Sequence, residues 1–492
     1  MIGAADAWVR LGDLMDPVAG TLPTGILTTD AISTTRQTFT NQTVYSWSDN
    51  PLRFNNQGQK WLPDKRYWQF QMQTYGGVKN AGTVRGFTAP ALGISFFIPS
   101  HVVEFEFIFT GQTLTFEFLN LGGDGTSKQW FSDAIAYGGD CQVLIEYGGR
   151  MWRAADVPKV TTRTDGSRSY RNISFTDPYH GRIRFRGANV GFMQMTTEAS
   201  AIVAKAPDRL SGIADGDSYF ESQVALDADN ATGFCSAGII DFISDMTGFV
   251  FARRGQGATG FFSNAAGFIT DDTIGSVTST GITSSGPSRF LSAQRRSWML
   301  DAQSQMTALG QGDFVNYPGD DFNQPVGRKP LLYLLNGTWN DASVGGVNQA
   351  TMYARAKDCY QWVHSVDPLC TFVHVSPEPF NDYFYGATIG DPRPGDISDI
   401  HRQGQMQAAA EVPRVQYVNA FGPDGLTRWW SGYGPDYANG SQGVPTDSQQ
   451  AQLVSVHDGI HCRMEGYRYY ASKIVDAIAE MRIPAVRANG LA

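Results

Sequence analysis

Five short, mostly apolar runs mark the chain after residue 204, and helix-like segments separate them. An apolar run without alternation is typical of a strand that is covered on both faces, as in a parallel sheet flanked by helices. Repeated strand–helix alternation therefore predicts an α/β architecture. The predicted strands are Leu210–Ala214, Phe249–Ala252, Leu331–Leu335, Thr371–Val375 and Val415–Val418.

The segments between these runs have helical character. Predicted helices lie around Phe234–Met246, Ala293–Leu309, Val347–Val366 and Ile400–Glu411. A last helix follows residue 463, where apolar side chains recur at helical spacing and form one stripe. Its members are Tyr467, Tyr470, Ala471, Ile474, Val475, Ile478 and Met481. We expect this stripe to pack against the sheet.

The first 200 residues follow a different pattern, in which apolar and polar side chains alternate. From His101 to Asn120 the alternation predicts two half-buried strands joined by a turn at Thr110–Gln112. The run from Gly181 places arginines on one face of a strand, which favours a solvated face over contact with an acidic glycan; these are Arg182, Arg184 and Arg186. With little helical periodicity, the region predicts a jelly-roll-like β-sandwich.

At 492 residues the chain exceeds one ordinary core. We divide it into an N-terminal segment (1–20), a β-sandwich accessory domain of carbohydrate-binding type (21–204), an α/β domain (205–485) and a C-terminal tail (486–492).

Charge and composition exclude several partners. The net charge is −9 and no long basic run is present, which argues against a nucleic-acid partner. No stretch approaches the roughly 18 apolar residues of a membrane span, and no basic, then apolar, signal peptide begins the chain. The five scattered cysteines argue against a disulfide framework and a cysteine-rich zinc site, and favour free thiols.

Three polar clusters follow predicted strands or precede the last helix. The first is Asp215–Ser218, in which a strand-to-helix turn presents a serine; Phe220 excludes the GxSxG elbow. The second is Asn336–Asp341, whose amides can donate a hydrogen bond to an oxyanion. In the third, His457–His461, Asp458 can orient His461 as a base toward a serine. A zinc pair of His457 and His461 is the alternative, which Gly459 and the missing glutamate disfavour.

In this order the clusters resemble the SGNH (GDSL-type) hydrolase family, whose signature combines a GDS block, a glycine block, a GxND block and a C-terminal DxxH block. The resemblance covers roughly residues 208–482. It implies a flavodoxin-like α/β hydrolase domain and a triad of Ser218, His461 and Asp458. It implies no metal and no organic cofactor.

The resemblance also implies an oxyanion hole. Its donors would be the backbone N–H groups of Ser218 and Gly257 and the side chain of Asn340. Gly255 is the alternative in the glycine block, which is loose here. Because Trp339 adds a residue between Gly337 and Asn340, Asn336 is the alternative amide.

The resemblance to the family does not by itself set the substrate, which we infer from the neighbouring domain and the loops. A β-sandwich beside such a hydrolase domain resembles carbohydrate esterases, and aromatic loops precede the DxxH block. We expect an O-acetylated polysaccharide or cell-surface glycan, contacted by Asp217, Trp339, Trp429 and Trp430. The architecture also resembles bacteriophage tail proteins, which implies a virion or otherwise extracellular site of action; a cytoplasmic one, homo-oligomers and tail assembly stay open. Alternatives are a non-catalytic glycan-binding or structural protein and a lipase or thioesterase.

Overall fold

The computed structural model describes a large part of the chain. The described residues are 7–46, 53–54, 102–120, 141–155, 168–188, 190–206, 210–217, 219–220, 223–225, 232–234, 238–253, 260–262, 331–337, 340–341, 346–376, 397–420 and 464–488.

Strands dominate the first part of the chain and alternate with helices in the second. The first strands are β1 Trp8–Arg10, β2 Leu27–Ser33, β3 Gln42–Ser46, β4 Arg53–Phe54, β5 Val102–Asn120, β6 Cys141–Tyr147, β7 Arg150–Arg153, β8 Arg168–Ala188, β9 Val190–Glu198 and β10 Ile202–Lys205. A short 3-10 helix, Leu11–Leu14, follows β1.

The second part contains β11 Ser211–Gly216, β12 Gln223–Ala225, β13 Thr232–Phe234, α1 Ile239–Thr247, β14 Val250–Arg253, β15 Leu332–Asn336, α2 Gln349–Val366, β16 Thr371–Val375, α3 Ile397–Glu411, β17 Val415–Val418, α4 Met464–Ala479, β18 Arg482–Pro484 and α5 Ala485–Ala488. The five predicted strands and four of the predicted helices are thereby confirmed, while the predicted helix at Ala293–Leu309 lies outside the described residues. Among the described helices, none is both long and apolar enough to cross a membrane.

Five of these strands form a parallel sheet in the order β14-β11-β15-β16-β17. Numbered along the chain, the order is 2-1-3-4-5, which is the flavodoxin-like arrangement. The observed order confirms the α/β prediction. It also locates the point where the chain changes direction across the sheet, between β11 and β15.

Helices cover both faces of this sheet. On one face, alternate residues of the strands pack with α1 and α4; examples are Ala214, Leu334 and Val373. On the other face, their chain neighbours pack with α2 and α3; examples are Ile213, Leu335 and Phe372. Every described residue of β11, β15 and β16 is buried, which accounts for their continuous apolar sequence. The predicted stripe of α4 is confirmed, since Tyr467, Tyr470 and Ile474 are fully buried.

The N-terminal strands form a nine-stranded antiparallel network around β5 and β8. The predicted turn at Thr110–Gln112 is wrong, because β5 continues through it. The pairing with β8 only shifts register between Gly111 and Thr113, as in a β-bulge. The carboxylate of Glu198 accepts hydrogen bonds from the backbone N–H groups of Gln112 and Thr113, so the chain need not reverse. The second sheet of a jelly-roll-like sandwich stays a prediction.

The arginine face of β8 is not solvated, and the prediction is wrong on this point. Arg184 and Arg186 are fully buried. Arg184 pairs with Glu106 of β5 (Nε to Oε2, 3.3 Å), whereas Arg186 pairs with Asp241 and Asp245 of α1 (3.0 and 3.1 Å). Helix α1 of the α/β region packs on this face, and its carboxylates replace water as partners of the arginine.

The N-terminal segment joins the two regions. Strand β1 pairs antiparallel with β18 at the C-terminal end of the chain, and Leu11 is fully buried in the core beside α4. Further along, the backbone N–H of Val18 donates to Asp245 O of α1 (2.7 Å), and that of Leu22 donates to Arg153 O of β7 (2.7 Å). Residues 8–22 thus connect the parallel sheet, α1 and the antiparallel strands.

Candidate active site at the end of strands β11 and β15

The first two polar clusters of the sequence meet at one edge of the parallel sheet. Strands β11 and β15 are hydrogen-bonded neighbours, with Asp215 opposite Leu335 and Gly216 opposite Asn336. In open α/β sheets, ligands bind outside the carboxyl ends of the strands at the point where strand order reverses. Asp217 and the segment that begins at Asn336 lie at this point.

Two glycines allow the strand ends to approach each other. A Cβ on Gly216 would stand 2.5 Å from the carbonyl oxygen of Asn336. Gly337 has a φ of +119°, and a Cβ on it would stand 2.7 Å from Oδ2 of Asp217. Real Cβ atoms do not come that close, so both positions require glycine.

Asp217 holds the chain together at the end of β11. The side chain is fully buried, and Oδ1 accepts a hydrogen bond from the backbone N–H of Tyr219 (3.1 Å). The backbone oxygen of Asp217 also accepts from Phe220 N–H (3.1 Å). These bonds tie Asp217 to Tyr219 and Phe220 in a tight turn. The expected contact of Asp217 with substrate stays a prediction, and its full burial favours a structural role.

The two candidate amide donors differ in exposure. Asn336 is fully buried, and its Nδ2 donates to the hydroxyl of Tyr470 in α4 at 3.5 Å. The same hydroxyl donates to the backbone oxygen of Ser376 at 3.4 Å. Asn340 is partly exposed. An oxyanion donor must reach a bound substrate, so this difference favours Asn340 over Asn336.

Asp341 makes contacts that the sequence analysis did not anticipate. The fully buried carboxylate accepts hydrogen bonds from the backbone N–H groups of Phe261 (2.7 Å) and Phe262 (2.8 Å). These residues end the glycine-rich stretch that follows β14. The only sequence signal for these contacts was the aspartate next to the candidate donor Asn340. A buried aspartate needs hydrogen-bond donors, but the sequence does not show which groups supply them.

Burial and a nearby carboxylate both raise the pKa of the Cys359 thiol. Burial raises the pKa of Cys359 on α2, and the negative charge of Asp215 adds to that effect. Cys359 and Cys370 are buried free thiols, as predicted for the cysteines of this chain. Within the described ranges, no three potential ligands cluster as a metal ion requires.

Several predicted site residues lie outside the described residues. They are Ser218, Asp458 and His461 of the triad, His457 of the alternative zinc pair, Gly255 and Gly257 of the glycine block, and the aromatic residues Trp339, Trp429 and Trp430. Of the predicted site residues and their neighbours, Asp217, Gly337, Asn340 and Asp341 are described.

Comparisons with known proteins give distant structural similarities. No protein-family model matches the chain, and no curated protein matches it. The chain is similar in structure to a GDSL-like lipase from Bacteroides ovatus (8% identity, TM-score 0.45, covering 89% of this chain and 97% of the other). It is also similar to a family two carbohydrate esterase from Cellvibrio japonicus (12%, 0.44, 89% and 96%) and to a salicylyl-acyltransferase from a tetracycline biosynthetic pathway (11%, 0.45, 92% and 97%). The chemistry of this chain has to be argued from its own residues.

Proposed function

We propose that the chain is a serine esterase that removes ester groups, O-acetyl groups above all, from a polysaccharide. The observation that carries the proposal is the strand order, which brings the turn at Asp217 and the Asn340-Asp341 pair to one reversal point of a parallel sheet. A nucleophile at residue 218 and an amide donor at residue 340 would then act on the same carbonyl group.

The proposed mechanism is acyl transfer through Ser218. His461 removes the proton of the hydroxyl as its oxygen attacks the ester carbonyl, while Asp458 orients the imidazole and stabilises its charged form. When the tetrahedral intermediate collapses, the imidazolium returns that proton to the departing sugar oxygen. Water, deprotonated by His461, then attacks the acyl-serine, and the imidazolium gives that proton to the oxygen of Ser218 as the carboxylic acid leaves. No step of this sequence calls for a metal or an organic cofactor.

Charge that develops on the carbonyl oxygen needs hydrogen-bond donors that are already in place. We assign the side chain of Asn340 and the backbone N–H groups of Ser218 and Gly257 to this role. The partial exposure of Asn340 and the burial of Asn336 support the choice of the former. Each donor would lower the barrier by roughly 3–4 kcal/mol.

Replacement of the nucleophile tests the proposal. Acetate release from p-nitrophenyl acetate and from acetylated polysaccharides should fall to background in Ser218→Ala. The matched control is Ser211→Ala at the opposite end of β11, where the buried hydroxyl has no hydrogen-bond partner among the described residues. This control should keep wild-type turnover. Equal activity of wild type and Ser218→Ala would refute the esterase function.

Substrate panels then separate the remaining candidates. A carbohydrate esterase should have a higher kcat/KM, counted per acetyl group, for at least one acetylated polysaccharide than for p-nitrophenyl acetate. Faster turnover of long acyl esters than of acetyl esters would instead assign the same site to a lipase. A fluorophosphonate probe adds an independent readout, because the mass of the peptide that contains Ser218 should rise by the mass of the bound phosphonyl group.

A further inference from the structure

The carboxylate of Asp341 links two loops that belong to different strands. It accepts hydrogen bonds from two consecutive backbone N–H groups, those of Phe261 and Phe262. Charged acceptors of this kind give short, strong hydrogen bonds. Gly260 completes the contact, because a Cβ there would stand 2.4 Å from Oδ1 of Asp341. Residues 260–262 thus fit around one buried carboxylate.

The contact of Asp341 joins segments that follow two strands of the sheet that are not neighbours. Asp341 follows β15, and residues 260–262 follow β14, yet β14 and β15 are not neighbours. Strand β11 lies between them and leads to Ser218. With strands about 4.8 Å apart, the outer two are separated by roughly 10 Å. The contact of Asp341 therefore joins the segments that follow the two strands on either side of β11, the strand that leads to the proposed nucleophile.

The segment at residues 260–262, which donates to Asp341, is itself held in place by the core. Phe261 is fully buried in the core formed with α2 and α3, and its ring lies 5.9 Å from the ring of His374 on β16. The segment after β14 is therefore held by its side chain in the core and by its backbone at Asp341.

We propose that Asp341 is a positioning residue for the oxyanion hole of the esterase. By joining the chain at Gly260–Phe262 to the residue that follows Asn340, it sets the distance between the glycine-rich stretch and the amide donor. This inference rests on the proposed function. Misplacement of catalytic groups by about 1 Å can cost on the order of 100-fold in rate. The cost should fall on kcat, because the oxyanion forms only in the transition state.

Two substitutions of Asp341 test this role. Asp341→Ala removes both acceptors, and Asp341→Asn keeps one acceptor and the volume. We expect kcat for p-nitrophenyl acetate to fall by about 100-fold in the first and by less in the second, with KM changed by less than about 3-fold. Reaction with a fluorophosphonate, which also places negative oxygen in the hole, should slow in parallel. Where Asp341→Ala does not fold, Asp341→Asn carries the test.

The control separates positioning from simple stability. Asp367 is another buried aspartate, paired with Arg487 away from the site, and Asp367→Asn should lower the melting temperature without lowering kcat. If Asp341→Asn and Asp341→Ala lose melting temperature but keep wild-type kcat and fluorophosphonate reactivity, Asp341 is structural only. Failure of the esterase function itself gives a different result, since wild type and Ser218→Ala would then have equal activity, whatever the Asp341 variants show.

Discussion

The carboxylate of Asp217 lies against the α-carbon of Gly337, across the boundary between β11 and β15. A Cβ on Gly337 would stand 2.7 Å from Oδ2 and 2.9 Å from Cγ of Asp217, at a φ of +119°. We predict that Gly337→Ala pays for both the backbone conformation and the displaced carboxylate, at a cost of about 2–4 kcal/mol in the free energy of unfolding. Urea unfolding measures that loss, and esterase turnover should fall with it, because Asp217, the residue before the proposed nucleophile, would be displaced.

A second glycine isolates the backbone effect. Gly346 also has a positive φ, of +86°, but a Cβ there would meet nothing within 4 Å. Gly346→Ala should therefore lose only about 1–2 kcal/mol and keep its activity. If both variants lose the same stability, the contact between Asp217 and Gly337 has no energetic weight.

The buried ion cluster between β8 and α1 should be essential to stability. Arg186 lies between Asp241 and Asp245 and is fully buried. Arg186→Met removes the arginine from Asp241 and leaves Asp245 with Arg153 as its remaining arginine partner, which we expect to cost about 3–5 kcal/mol in the free energy of unfolding. An exposed pair provides the comparison. Arg10→Ala, which breaks the surface contact with Glu480, should cost less than about 1 kcal/mol.

The design of a triple variant sharpens the same test. Replacing Arg186, Asp241 and Asp245 together by apolar residues of similar size removes three buried charges, while Arg153, which also pairs with Asp245, keeps a partly exposed side chain. Such replacements are often neutral or stabilising by about 1–4 kcal/mol. Recovery of stability in the triple variant would show that the loss in Arg186→Met comes from carboxylates that have lost this arginine. No recovery would assign it to lost packing.

The parallel sheet could be predicted from the sequence because a strand buried on both faces has apolar residues without polar alternation. Thr371–Val375, which is buried at every residue, was predicted with its observed bounds. Val415–Val418 was also predicted with its observed bounds, because it follows a helical segment and begins and ends with a buried valine, although Gln416 is exposed. The turn at Thr110–Gln112 failed for a non-local reason. Whether a glycine in a strand makes a turn or a bulge depends on the neighbouring strand, here β8, and on Glu198, which lies far along the chain.

Charged residues in strands were the other source of error. Period-two alternation assigns Arg184 and Arg186 to a polar face, and a polar face is usually solvated. Here the partners are Glu106 on another strand and two aspartates on α1. These partners are distant along the chain, so the sequence around the arginines does not predict them. The same limit applies to Asp341, whose neighbours Phe261 and Phe262 are 80 and 79 residues away.

Asn336, the last residue of β15, and Asn340, which follows that strand, should separate stability from catalysis. Asn340 is partly exposed, so Asn340→Ala should lower kcat by about 100- to 1,000-fold with a small effect on unfolding. Asn336 donates to Tyr470 in the core, so Asn336→Ala should cost about 1–3 kcal/mol in stability through unsatisfied polar groups. Rate measurements and urea unfolding of both variants decide the assignment. The reverse result would make Asn336 the oxyanion donor.

Acid should destabilise the fold through His374. The imidazole is fully buried, its Nδ1 lies 2.5 Å from the hydroxyl of Tyr360, and burial lowers its pKa to about 3. In the unfolded chain the pKa is about 6.5. Above pH 6.5 the histidine is neutral in both states and has no effect on pH dependence. Between pH 6.5 and 3 only the unfolded state binds the proton, so stability falls by about 1.4 kcal/mol per pH unit as pH falls.

The variant His374→Asn tests this contribution. Its amide can still pair with the hydroxyl of Tyr360, but it does not titrate. We expect the difference in the free energy of unfolding between wild type and variant to be constant from pH 8 to 6.5. At pH 4.5 it should have shifted by about 2–3 kcal/mol in favour of the variant. Urea unfolding of both proteins at each pH gives this difference, in which the titration of other carboxylates cancels. Parallel profiles down to pH 4.5 would mean that His374 takes up a proton in the folded state at its ordinary pKa.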